Sequence, residues 1–268
     1  MRGEVIVVEK LHNPTLRVVR ILELVNNYEN GISLIDISKK LAIPKSTLSP
    51  ILKTLEKTDF LEKNDKGCYV ASFKLFQLGL SYSGQLDCLS TIIKQMEIVV
   101  DKIGEIVQFG VLDEYMVFYL GKVNASDNIE IVSSVGKKIP AINTGLGKAL
   151  LSDFSDQEII EKYKDYDFVK YTENSIGNVD ELIKDIHKVR ELGYAVENQE
   201  FTMNTSCVAV PIRESGKIKA AMSATYPMFR KKENTEKEIS EVLLEQKEIL
   251  EDIIKIQNLN LDFADRGL

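Results

Sequence analysis

Few side chains in this chain could carry the chemistry of an active site. The histidines are His12 and His187 alone. His12 sits in an N-terminal arm and His187 on the polar side of an expected helix, where a solvated imidazole is the ordinary reading. Cys68, Cys88 and Cys207 are widely spaced and form no CxxC pair, so neither a zinc site nor a disulfide framework is expected. Cys207 with Glu197 and Glu200 could be a thiol–carboxylate group of a small-molecule hydrolase or lyase, but no nucleophile elbow accompanies it. Cysteine in an apolar strand is just as readily core filler. Gly145-Leu146-Gly147-Lys148 lacks the spacing of a phosphate-binding loop and the Ser/Thr that follows one. No cofactor or metal is therefore expected. What remains is a basic, hydroxyl-rich stretch: residues 39–55 hold Lys39, Lys40, Lys45 and Lys53, no acid, and the short polar Ser46, Thr47 and Ser49. Such a surface suits the phosphates and base edges of duplex DNA.

The elements that would position this stretch are readable from periodicity. Leu16, Val19, Ile21, Leu22, Leu24 and Val25 recur at three- and four-residue spacing, which predicts a helix over 15–27, with Gly31 as its stop. Ser33 with Asp36 three residues on predicts a capped helix through Leu41. From Lys45, Leu48, Ile51, Leu52 and Leu55 mark a third apolar face, leaving the polar residues outside. Phe60–Lys63 and Cys68–Val70 flank the turn-forming Asn64-Asp65-Lys66-Gly67, which predicts a hairpin whose Lys63 and Lys66 make a basic wing. Three helices and a hairpin in this order are a winged helix-turn-helix. The same unit could serve as a protein-interaction module.

A long apolar stripe follows, from Leu75 through Leu78, Tyr82, Leu86, Leu89, Ile93, Met96 and Val100 to Ile103, divided at Gly79 and Gly84. It is read as a linker with a surface for a second copy. Strands are expected at 106–112, 115–120, 129–135, 194–197, 207–213 and 217–226, with helices at 144–151, 156–163, 179–192 and 235–256. The organisation is thus α+β: a winged helix-turn-helix over 1–72 with an arm at 1–13, a linker helix over 73–85, and a mixed α/β domain over 86–268 with a tail at 259–268.

Composition sets the bounds. Across 268 residues, 44% hydrophobic and 28% charged, long disorder is excluded. The formal charge of −7 argues against a wholly polyanion-gripping surface but not against one basic face. Residues 1–70 carry 11 Lys/Arg against 9 Asp/Glu and the remainder 23 against 32, so the asymmetry follows the domain division. No signal-peptide core and no apolar run of the roughly 20 residues that a membrane helix needs is present, and a cytoplasmic protein without a membrane partner is expected.

Five blocks in order carry a family resemblance. These are Pro44-Lys45-Ser46-Thr47 with Leu52-Lys53-Thr54-Leu55-Glu56, Val135–Pro140, Thr144–Leu151, Val189–Val196 and Cys207–Ile212. Over residues 14–256 the chain resembles the IclR family of bacterial transcriptional regulators. The resemblance implies a winged helix-turn-helix joined by a linker helix to a GAF-like domain that binds a small organic-acid effector. It further implies a homodimer or dimer of dimers acting on a double-stranded, palindromic DNA operator. The DNA-contacting set it implies is Arg17, Lys45, Ser46, Thr47, Ser49, Lys53 and Lys63. The implied effector site is Gly145, Leu146 and Gly147, whose loop and following helix would offer backbone N–H groups to an anion, together with Glu197, Cys207, Ser223 and Thr225. Departures are Glu197 for a shorter aspartate, Thr225 for serine, Asn204 where glycine is common, and Ser49-Pro50 where a larger polar residue and arginine are usual. Pro50 is expected to kink the recognition helix or delay its start.

Overall fold

The computed structural model describes residues 12–28, 30–79, 83–125 and 134–263. Two compact units divide the chain, Met1–Ser83 and Gly84–Leu268.

In the first unit, α1 (Asn13–Asn26), α2 (Leu34–Leu41) and α3 (Lys45–Lys57) enclose a core of Ile21, Val25, Ile37, Leu48, Leu52 and Leu55. The Ser33 hydroxyl accepts the Asp36 N–H at 3.2 Å, which starts α2 as expected. Strands β1 (Leu61–Lys63) and β2 (Tyr69–Ala71) pair antiparallel across a turn in which Asn64 Oδ1 accepts the N–H groups of Lys66 and Cys68. Ile32 bridges to Tyr69. Only glycine fits at position 31: its φ is +79°, and a Cβ there would meet Val70 at 2.8 Å. A late start of α3 is corrected. The helix runs unbroken from Lys45, with Pro50 in its interior, and the Pro50 carbonyl accepts the Thr54 hydroxyl at 2.9 Å. Pro50 is exposed, whereas Leu48, Leu52 and Leu55 of the same helix are buried, and its missing N–H removes one intrahelical hydrogen bond.

Helix α4 (Phe73–Gly79) stays with this unit because Lys74 Nζ donates to the Thr58 carbonyl at 2.9 Å and lies 5.1 Å from the Phe60 ring centre. Tyr82, the Leu86 side chain, residues 129–133 of one expected strand, most of the arm and the end of the tail lie outside the described residues. Val135 falls in a turn.

The second unit is built on a six-stranded antiparallel sheet in the order β5-β4-β3-β8-β7-β6. Its strands are β3 (Ile106–Asp113), β4 (Met116–Val123), β5 (Lys138–Pro140), β6 (Ala195–Asn198), β7 (Thr205–Glu214) and β8 (Lys217–Pro227). One face packs on α5 (Ser83–Ile103) and α9 (Thr235–Gln257) through Ile92, Met96, Val99, Leu243 and Leu250. The other carries α6 (Gly145–Leu151), α7 (Asp156–Tyr163) and α8 (Val179–Leu192). Strand alternation sorts the residues: Val208, Met222 and Ala224 face α5 and α9, while Ala209 and Ala221 face the smaller helices. The short strand β5 falls in the Gly136–Pro140 segment, where the family resemblance implied a strand, and beyond the strand expected at 129–135.

Candidate functional site

Two places collect the polar residues. On α3, Lys45, Ser46, Ser49 and Lys53 are exposed along one side, spaced so that they form a single stripe, with Thr47 half-buried. Arg17 on α1 is exposed and joins Arg20, Asn13 and the Leu41–Pro44 turn in lining a cleft of about 250 Å³. Arg20 escaped the sequence reading, although it lies three residues from Arg17 on the same helical side. Lys63 is exposed on the wing, where its ammonium pairs with Glu56 at 3.1 Å and lies 5.0 Å from the Tyr69 ring centre, a surface pair that water screens. Lys66, on the turn of the same hairpin, is also exposed.

The second place is a cavity of about 100 Å³ between the sheet and the segment leading into α6. Gly145, Leu146, Glu197, Cys207, Ser223 and Thr225 all line it. Sheet register explains why. Glu197 pairs with Cys207 and Cys207 with Thr225, so one row crosses β6, β7 and β8, while Ser223 pairs with Gln108 on β3. Gly147 is corrected, since it does not line the cavity. A Cβ there would lie 2.1 Å from the Ala141 carbonyl oxygen, so this glycine permits the close approach of α6 to the preceding 3-10 turn.

The N-terminus of α6 has few donors to spare. The Gly145 N–H goes to the Cys207 sulfur and the Gly147 N–H to the Thr144 hydroxyl at 3.0 Å, which leaves the Leu146 N–H. Among the described residues the cavity wall contains one carboxyl, Glu197, and no Lys, Arg or His. Burial pushes that carboxyl up to about 7, against the N–H of Glu200, which donates to Glu197 Oε1 at 2.5 Å. Burial likewise raises the Cys207 thiol well above its ordinary value, with the nearby Glu197 adding to the shift. A thiol so held is not a thiolate nucleophile at neutral pH, and the hydrolase or lyase reading of Cys207 with Glu197 loses its attacking group.

Behind Glu197 lies a buried ion triad. Lys148, 1% exposed, donates to Asp185 and Glu200 at 2.6 Å each. Burial opposes the charge on Lys148, but Glu200 and Asp185 outweigh it and hold the ammonium above the usual lysine value. The segment after Glu200 brings Phe201, Thr202 and Thr205 to the cavity and is bounded by Gln199 and Asn204, with φ of 56° and 65°. Asn204 adopts the left-handed backbone that glycine adopts without strain, and asparagine is among the residues that tolerate it. Hydroxyls of Thr172 and Ser175 tie the segment down through the Gln199 and Glu200 carbonyls, each at 2.6 Å.

Gln108, Tyr119, Ile139, Asn143 and Thr144 also line the cavity and were not singled out from sequence. Gln108 left the clearest signal: a polar residue at an inward position of an otherwise apolar strand. It accepts the Thr225 hydroxyl at 3.2 Å.

Two family models match the chain: the IclR helix-turn-helix domain over residues 15–65 and the bacterial transcriptional regulator IclR C-terminal domain over residues 81–250. The chain is 28% identical over 225 residues to the HTH-type transcriptional regulator KdgR of Dickeya chrysanthemi, a span of 83% of this chain and 73% of that one. To the HTH-type transcriptional regulator XynR of Escherichia coli K12 it is 27% identical over 209 residues, 77% of this chain and 83% of the other. The crystal structure of the Thermotoga maritima IclR matches with a TM-score of 0.71 at 26% identity, covering 91% of this chain and 99% of that one.

Proposed function

The chain belongs to the IclR family, as a DNA-binding transcriptional regulator with a C-terminal ligand-binding domain, and from that premise we propose that its effector is a small organic acid held in the cavity beside Glu197. The observation that carries this reading is the cavity wall itself, with hydroxyl and amide donors, one raised carboxyl and, among the described residues, no cation. An acid carboxylate there takes hydrogen bonds from Ser223 and the Leu146 N–H and shares the proton that burial keeps on Glu197 below about pH 7. Binding of the anion therefore weakens as pH rises through 7. The exposed stripe on α3 supports Lys45, Ser46, Thr47, Ser49 and Lys53 as the operator-reading face, with Arg17 on the neighbouring backbone. Exposed Phe73, Phe76 and Leu78 on α4 support assembly of copies into a dimer or dimer of dimers. The need to reach DNA and the three free cysteines support the cytoplasm as the place of action.

Linkage gives the mechanism: the acid changes operator affinity only as far as it binds the DNA-competent and DNA-incompetent arrangements differently. Fluorescence anisotropy against tiled duplexes from the gene's upstream region, at two salt concentrations and with a panel of C2–C6 acids, tests it. One tile should bind far more tightly than a scrambled duplex, and at least one acid should shift that affinity by roughly 5–150-fold. Equal binding to all duplexes, or indifference to every acid, overturns the reading.

A further inference from the structure

Resting on the reading of α3 as the operator-facing helix, we propose that Pro50 is a base-reading residue, its ring packing against the C5-methyl group of a thymine in the operator. Pro50 lies in the interior of α3 and is exposed. Proline is the least favourable residue for such a position. The packing of α3 does not offset that cost, because its buried residues are Leu48, Leu52 and Leu55 and Pro50 stands outside their core. A local rule broken without a gain in packing points to use of the residue by something outside the chain.

Its place on the helix says what that partner is. At about 3.6 residues per turn, Ser46, Pro50 and Lys53 fall in one line on the side of α3 opposite Leu48, Leu52 and Leu55. The ring therefore sits in the middle of the exposed side, not at its border. In the major groove, bases are told apart by side chains with paired donors or acceptors, by hydroxyls, or by apolar contact with the thymine methyl group. Residues 45–57 hold no Arg, Asn or Gln, so no guanidinium fork or side-chain amide is available to guanine or adenine. Between Ser46 and Lys53 stands a ring that neither donates nor accepts. Against a polar base edge it displaces water and returns no hydrogen bond, whereas against a methyl group it buries apolar surface on both partners. The ring also has no N–H, so the Ser46 carbonyl, one turn earlier in the same line, loses its helical donor. A carbonyl takes only a donor, and adenine, the partner of thymine, presents its N6 amino group in that groove. Both features suit an A·T pair.

The probe is the upstream tile that the full-length protein binds best, with its thymines replaced one at a time by deoxyuridine. This deletes the C5-methyl group and leaves the pairing edge intact. Fluorescence anisotropy should find at least one thymine whose replacement weakens binding roughly three- to fivefold, the size expected for one buried methyl group. In Pro50→Ser, which removes the ring from an exposed position and restores the helical N–H, the penalty at that thymine should shrink to less than about 1.5-fold.

The absence of any responding thymine in the unaltered protein overturns the proposal. So does an undiminished penalty in Pro50→Ser, which would give the methyl group to another residue such as Thr47. A Pro50→Ser protein that melts cooperatively yet binds no tile overturns it too, since a methyl contact is too small to abolish binding. Should no thymine respond while Lys45→Ala with Lys53→Ala flattens the salt dependence, α3 still faces the operator and only the role of Pro50 falls. An unchanged salt dependence with no responding thymine brings both down.

Discussion

On α3, Lys45, Ser46, Ser49 and Lys53 stand in solvent on a helix whose opposite side is core. In the cavity, Glu197, Cys207, Ser223 and Asn143 are each less than a tenth exposed, and the ionisable ones among them are displaced far from their ordinary behaviour. An exposed polar residue costs the fold almost nothing, and water screens its charge, so a DNA-reading face can be rewritten residue by residue. A buried polar group costs the fold its desolvation unless a partner offsets it, so the cavity residues are bound into the stability of the domain. Evolution of a new operator and evolution of a new effector are therefore different physical problems in this molecule.

The contrast is sharpest at Lys148. Lys148→Met leaves Glu200 buried without its counter-charge, while half-buried Asp185 keeps Lys188 at 2.8 Å, and should cost about 3 kcal/mol in chemical denaturation. A loss below about 1 kcal/mol would mean that the triad is solvated and the contrast overstated. Next in size is Glu197. Its folded-state value of about 7 lies above the ordinary 4.5, so the folded state holds a proton that the unfolded chain gives up. This contribution is complete below about pH 4.5, is lost as pH rises to about 7, and amounts to something on the order of 3 kcal/mol. Glu200, Lys148, Cys207 and Tyr119 are the titratable groups around it. Glu197→Gln removes the decline, so the variant should gain on the unaltered protein steadily across that window; a constant difference from pH 5 to 8 would show the carboxyl ionised throughout. Smallest in stability is the double substitution Lys45→Ala with Lys53→Ala, expected to change the unfolding free energy by less than about 0.5 kcal/mol per site. Its effect belongs to binding: the slope of log affinity against log salt should shrink by about 0.9 for each phosphate contact removed. An unchanged slope would move the DNA face elsewhere.

Most of the element plan was legible in the sequence because its signals are local. Ser33 with Asp36, the Asn64–Gly67 turn, and the three-and-four spacing of Leu48, Leu52 and Leu55 each act within a few residues. The cavity was legible only through resemblance, and then in part. The pairing of Lys63 with Glu56 was not legible, because it arises where β1 returns beside α3. Gly147 read as a ligand residue because the carbonyl of Ala141 pressed against it cannot be seen in a string of letters.

By itself the sequence determined two units, their order, their helices and most of their strands, and the side of α3 left polar and exposed. Periodicity and turn chemistry specify these within a dozen residues. Only the tertiary structure decided which polar groups share a wall. The register of β6, β7 and β8 sets Glu197, Cys207 and Thr225 in one row, and the 3-10 turn fixes one end of Asn143 and leaves the other unsatisfied. Those outcomes depend on burial and cross-strand pairing between residues far apart in the chain, and neither is encoded at any single position.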